Sequence, residues 1–203
     1  MSIKRRDMLG LLGSAAIMGG LAGAGAPVRA AEHMGALECI HTRRSTRRYL
    51  DKPVPDELVT ELLQAAMTAP SAHNEQPWRF LVVKNREMLE KVAAANRNAA
   101  MAAKAGLGIL VCGDPELAKT KDMTPLDCSN ASMSILLAAH ALGLGGVWTA
   151  SYPEAERMAN YRSIFGIPES IIPFSFICLG WPEQPGGKRE DRFKKDRVKY
   201  DRW

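Results

Sequence analysis

Pro70-Ser-Ala-His-Asn-Glu-Gln-Pro-Trp78 stands between a helix-forming segment and a strand-forming one, and this junction decides how the rest of the chain is read. Upstream, Asp56 follows Pro55 and opens a helix through Met67, with Leu58, Val59, Leu62, Leu63 and Ala66 forming its apolar face. Ala69-Pro70 stops it. Downstream, Arg79 to Val83 reads as a strand, Arg86 to Ala95 as a helix and Leu107 to Cys112 as a buried strand. A long helix runs from about Asp127 to Leu142, nearly all small or apolar apart from Asn130 and His140. A helix so apolar belongs in the middle of a protein or at a subunit interface. A short strand to Thr149, a helix from Pro153 to Phe165 and a strand from Ile172 to Leu179 complete the series. The alternation of periods implies an α/β or α+β layer fold around one sheet.

The chain has 203 residues, 46% of them hydrophobic, enough for one good core in a single domain over residues 31–203. Residues 1–30 read differently. Lys4-Arg5-Arg6-Asp7-Met8-Leu9 places adjacent arginines ahead of a Gly- and Ala-rich apolar run to Ala26, and Val28-Arg29-Ala30 offers a cleavage site after Ala30. This leader resembles a twin-arginine export signal, which implies export to the periplasm by the twin-arginine translocation machinery. An uncleaved membrane anchor is the alternative, although the many glycines make the run marginal for a span.

The net charge of +5 raises the question of nucleic acid. Outside the leader, however, the positive charge is concentrated in Arg43 to Arg48 and in the tail from Lys188, on an otherwise acidic body. That distribution suits a discrete anion and not a nucleic-acid footprint. Cys39, Cys112, Cys128 and Cys178 show neither a Cys-x-x-Cys pairing nor zinc spacing, and read as core packing.

Arg43-Arg-Ser-Thr-Arg-Arg48 offers forked guanidinium donors with hydroxyls between them, the donor set that holds a phosphate. A solvated basic turn is the competing reading. The loop from Pro70 to Trp78 carries Asn74 and Gln76 between two prolines; their carboxamides can donate to and accept from the edge of a flat heterocycle, although Asn and Ser also favour ordinary turns. Gly143-Leu-Gly-Gly-Val-Trp148 departs from the dinucleotide fingerprint, because it follows a helix and leads into a strand. His73 and His140 have no partner at ligand or triad spacing, and no metal site is expected.

Taken together, Ile40 to Tyr49, the Pro-Ser-x-x-Asn-x-Gln-Pro-Trp loop, Ala139 to Trp148, Gly166-Ile-Pro168 and Asp191-Arg-Phe through Trp203 are similar to the nitroreductase family of FMN oxidoreductases, in order and in spacing. The resemblance implies an α+β, three-layer fold with a mixed four- or five-stranded sheet flanked by helices. It also implies an intertwined homodimer with FMN at each of two interface sites. By the same resemblance Arg43 and Ser45 hold the FMN phosphate, Arg44 lies near the ribityl chain and Arg47 toward the pyrimidine edge. Arg192 is a second phosphate ligand. Pro70, Ser71, Ala72 and Asn74 come from the partner subunit to line the isoalloxazine, and Gln76 braces their loop. Trp148, Thr149, Ala150 and Ser151 pass over the ring, with a backbone N–H near Ala150 meeting N5. Two departures stand out: Ala150 where some members carry an acid, and Glu190 where some carry a base, with Lys188 and Arg189 beside it to compensate.

The implied activity moves hydride or electrons from NAD(P)H, or another donor, through FMN to a nitroaromatic, quinone or similar small acceptor, without a protein nucleophile or metal. A flavin carrier without turnover and an FMN-dependent reductive dehalogenase remain as alternatives. Export sharpens the choice of donor, since reduced nicotinamides are cytoplasmic.

Overall fold

In the computed structural model, residues 34–184, 186–188 and 190–203 are described; the expected leader over residues 1–30, its export function and Arg189 lie outside them. The sheet is built around its two most apolar segments. All seven residues of β2 (Leu107–Gly113) are buried, as are all but the first of β4 (Ile172–Gly180), so both strands are covered on each face. On either side of this pair lie β1 (Trp78–Val83), whose interior residues are partly exposed, and β3 (Gly145–Ala150). The order is β1-β2-β4-β3.

Period-two alternation sends successive side chains of the central strands into two separate cores. Leu107, Ile109, Val111, Ile177 and Leu179 pack with α2 (Asp56–Met67) and α4 (Thr124–Ala141). Leu110, Cys112, Phe176 and Cys178 pack on the other face with α3 (Arg86–Ala95), the 3-10 turns of Arg97–Lys104, and Tyr161 of α5 (Ala155–Phe165). The result is a three-layer α+β fold. A short α1 (Ala36–Thr42) precedes the arginine run and touches α4.

The expected mixed sheet is corrected here: among the described residues there are four strands, and every strand pairing is antiparallel. Successive antiparallel pairings leave β2 and β3 parallel to each other, joined by the α4 crossover, but β4 is inserted between them. The alternation in the sequence reports how strands are connected, and a later strand can still separate two that a helix joins. The one parallel contact among the described residues is an isolated bridge, Ser45 to Gly146. No described helix is long and apolar enough to cross a membrane. The four cysteines are free and buried, as their apolar surroundings in the sequence predict.

Candidate functional site

The arginine run is extended and lies along the outer edge of β3. Thr46 donates its N–H to the Gly146 carbonyl at 3.0 Å, beside the Ser45 bridge. Gly145 makes this approach possible: a Cβ there would stand 2.6 Å from the Thr46 side chain. Gly143, at φ +78°, supplies the left-handed turn between α4 and β3. The glycines of the 143–146 segment thus serve the close docking of another strand. Tyr49 pins the far end, its buried hydroxyl lying 2.6 Å from the Thr46 carbonyl and 3.0 Å from that of Cys178. Burial pushes the Tyr49 pKa up, so the phenol remains a donor.

Arg43, Arg44, Ser45, Arg47 and Arg192 line one cavity of about 300 Å³. Arg192 comes from the tail, and a neighbouring cavity of about 620 Å³ continues over Ile40, His41, Glu190, Asp191 and Phe193. The guanidinium groups are not equivalent. Arg44 is committed to the protein: Nη1 donates to the His41 and Arg43 carbonyls at 2.9 Å each, Nη2 donates to the Lys188 carbonyl, and Glu190 lies 3.5 Å away. It therefore ties the tail down. Arg192 pairs with Glu190, donating from Nε at 2.8 Å and Nη2 at 2.6 Å. Those bonds, with the charges of Arg192 and Arg44, hold the exposed Glu190 carboxyl below its ordinary range. Among the described residues the Arg43 and Arg47 guanidiniums have neither a hydrogen bond nor an ion pair. Donors thus exceed acceptors, and with the Ser45 hydroxyl on the same wall this chemistry fits a phosphate dianion.

The loop from Pro70 to Gln76 is elsewhere. Asn130 Nδ2 donates to the Pro70 carbonyl at 3.1 Å and Asp127 Oδ1 accepts from Ala72 N–H at 2.9 Å, which fixes the loop to the start of α4. The arginine run instead shares a cavity with Leu136, His140 and Gly143 at the end of α4. From Asp127 to His140 the helix rises roughly 20 Å. Gln76 braces the loop, with N–H to Ser71 Oγ and Nε2 to Asn74 Oδ1 at 2.9 Å each. His73, Asn74 and Gln76 all have φ between 50° and 58°, left-handed values unfavourable for residues with a Cβ.

Along β3, the Thr149 hydroxyl donates to Phe176 O at 2.7 Å and the Ser151 hydroxyl to Pro173 O at 2.6 Å, so both are spent inside the protein. Ser151 N–H bonds back to Phe174 O, and Gly146 O faces the arginine run. The alternation of the ladder therefore turns the backbone of Gly146, Trp148 and Ala150 away from β4. Ala150 is exposed, and the Trp148 ring meets Phe174 edge-on at 5.6 Å. Within one chain, then, the five anion-binding residues come together. Ala150 lies roughly 13 Å further along the strand, and Pro70, Ser71, Ala72, Asn74 and Gln76 stand at the opposite end of α4.

Sequence reasoning passed over Asp127, Asn130 and Tyr49. For the first two a signal existed: polar residues three apart on a helix otherwise small and apolar.

An α+β layer fold with an arginine-lined anion cavity at a sheet edge defines a protein built around a phosphate-bearing ligand. The chain belongs to the nitroreductase family, whose model matches residues 40–122 and 118–181. A protein of Methanothermobacter thermautotrophicus, provisionally named an NADH dehydrogenase/NAD(P)H nitroreductase, is 50% identical over 170 residues, covering 84% of this chain and 88% of its own. A protein of Clostridium acetobutylicum, provisionally named an NADH oxidase, has a solved structure with 38% identity and a TM-score of 0.79, covering 81% of this chain and 99% of that one. A further structure, of a provisional nitroreductase from Desulfovibrio desulfuricans in complex with FMN, gives 31% identity and a TM-score of 0.70 over 83% and 97% of the two chains.

Proposed function

We propose that this protein is an FMN-dependent NAD(P)H oxidoreductase of the nitroreductase type, which reduces nitroaromatics, quinones or similar small acceptors. The observation that carries the reading is the cavity of Arg43, Arg44, Ser45, Arg47 and Arg192, in which two guanidiniums have no protein partner. Relatives named for NAD(P)H and nitroreductase activity, and one solved with FMN, support it. FMN, when bound, accepts electrons from the reduced nicotinamide and delivers them to the acceptor.

The residues then divide the work. Arg43, Ser45 and Arg192 hold the phosphate, while Arg44 keeps the tail in place behind them. Arg47 supplies positive charge toward the pyrimidine side of the ring, where negative charge grows on reduction. The outward-facing N–H of Ala150 is a free donor for the ring edge, and Trp148 stands beside it. Loop 70–76 lines the ring from a second copy of the chain. This division accounts for a strained, well-braced loop so far from the arginines of its own chain. Apolar side chains exposed on α1 and α4 suit such a homodimer: Leu37 at 72%, Ile40 at 54%, Leu126 at 59% and Met133 at 41%.

Residues 1–30, by their paired arginines, apolar run and Val28-Arg29-Ala30, form a twin-arginine signal, and residues 31–203 are the single exported domain. Export of an already folded, FMN-loaded protein fits this pairing, and the periplasm is its destination.

The test is the visible spectrum of the purified protein under anaerobic conditions before and after NADH. A flavin spectrum that bleaches, and recovers on adding a nitroaromatic or quinone, is expected. Colourless protein that takes up no FMN overturns the reading.

A further inference from the structure

We infer that Asp127 and Asn130 are positioning residues, a two-point clamp by which α4 holds loop 70–76 in the conformation that faces the ring; this rests on the reading of that loop as flavin-lining. The two side chains lie one helical turn apart and project from the same face. Their chemistry is complementary to the loop backbone. Asn130 Nδ2 donates to the Pro70 carbonyl at 3.1 Å, and Asp127 Oδ1 accepts from the Ala72 N–H at 2.9 Å.

The loop needs such a clamp. His73, Asn74 and Gln76 carry a Cβ at positive φ, and conformations of that kind persist where the surroundings over-determine them. The internal bonds of the loop, from Gln76 to Ser71 and Asn74, fix its shape but not its place on the protein. The bonds from α4 anchor its N-terminal half, and a longer contact from Thr120 N–H to Glu75 Oε2 at 3.4 Å adds to them.

Asp127 is also a poor choice for stability alone. Its side chain is 3% exposed, and Oδ2 has no hydrogen-bond partner among the described residues. A carboxylate buried for a single hydrogen bond lowers stability relative to a neutral residue of the same shape. What Asp127 secures is the location of Ala72, between Ser71 and Asn74.

The test uses the FMN-loaded protein and three variants. Asp127→Ala removes the acceptor, Asp127→Asn keeps an oxygen for the Ala72 N–H, and Asn130→Ala removes the donor from an exposed position. Both alanine variants are expected to keep their FMN, because the phosphate end is held elsewhere. They should show altered visible circular dichroism of the flavin, and reduction by NADH slowed roughly 10- to 100-fold, the scale of an ångström-level misplacement. Asp127→Asn should return both properties toward wild type. Unchanged dichroism and reduction rates in the alanine variants, or an Asp127→Asn protein as impaired as Asp127→Ala, overturn the clamp. If Asp127→Ala does not fold, Asn130→Ala carries the test on its own. A wild-type protein that binds no FMN overturns the functional reading first, while a wild type that binds FMN but ignores NADH leaves the dichroism to decide the clamp.

Discussion

Replacing Arg43 by alanine separates phosphate binding from protein stability. Arg43 lines the 300 Å³ cavity with Ser45, Arg47 and Arg192. Among the described residues its guanidinium makes no hydrogen bond or ion pair, so folding loses no such partner when it is removed. A hydrogen bond to a charged group contributes about 1.5–3 kcal/mol, which corresponds to an FMN affinity weakened roughly 10- to 150-fold. The assay is titration of the apoprotein with FMN, followed by quenching of flavin fluorescence and repeated with riboflavin, which lacks the phosphate. Riboflavin affinity and the melting temperature of the apoprotein should stay near wild type. Arg44→Ala should behave in the opposite way. Its donors hold the His41, Arg43 and Lys188 carbonyls, so the tail should loosen and become more sensitive to protease. An Arg43→Ala protein that binds FMN within threefold of wild type, or that loses riboflavin and FMN equally, refutes the phosphate assignment.

Gly145→Ala places a Cβ 2.6 Å from the Thr46 side chain, so the arginine run must shift; a cost of about 1–3 kcal/mol is expected, read as a lower melting temperature together with weaker FMN retention, and an unchanged protein refutes the docking argument. Burial raises the thiol pKa of Cys39 and pushes those of Cys112, Cys128 and Cys178 up to about 12. The native protein should therefore give almost no reaction with a thiol reagent and four equivalents once denatured; rapid labelling of the native state counts against this packing. His140 has its pKa lowered from 6.5 by burial and by the nearby charges of Arg43 and Arg44, against a smaller opposing effect of Glu38. As pH falls below about 6.5 the unfolded chain takes up this proton before the folded one does. Stability present above that pH should then decline toward the lowered pKa, and urea melts of His140→Gln should lack that part of the slope.

Local periodicity made much of the fold legible. The helices Asp56–Met67 and Arg86–Ala95 fall where apolar spacing and the flanking Pro55 and Asn85 place them. α4 begins at Thr124, earlier than its apolar run suggests, because Pro125 in the first turn needs no N–H partner. Strand order was not legible: β4 separates β2 from β3, and nothing local to α4 records that insertion. The directions of Thr149 and Ser151 could have been read, since period-two alternation from the buried Val147 turns both inward. The meeting of Arg192 with Arg43 could not, because it depends on how the tail returns past Arg44.

The two ends of α4 explain why the site residues come in separate groups along the sequence. At one end the helix leads through Gly143 and Gly145 to the edge where the arginine run docks, and at the other Asp127 and Asn130 hold a loop at unfavourable backbone angles. A single rigid element cannot bring its own ends together, so a ligand that uses both must bridge two copies placed head to tail. The apolar surface of α4 that faces neither the sheet nor α2, with Leu126 and Met133 exposed, is where such a pairing buries area. In that arrangement the helix that positions each half of the site also forms the contact joining the halves, and a shift in its packing alters the distance from the phosphate to the ring. That coupling makes α4 intolerant of polar residues except where they hold the loop, which is where Asp127 and Asn130 stand.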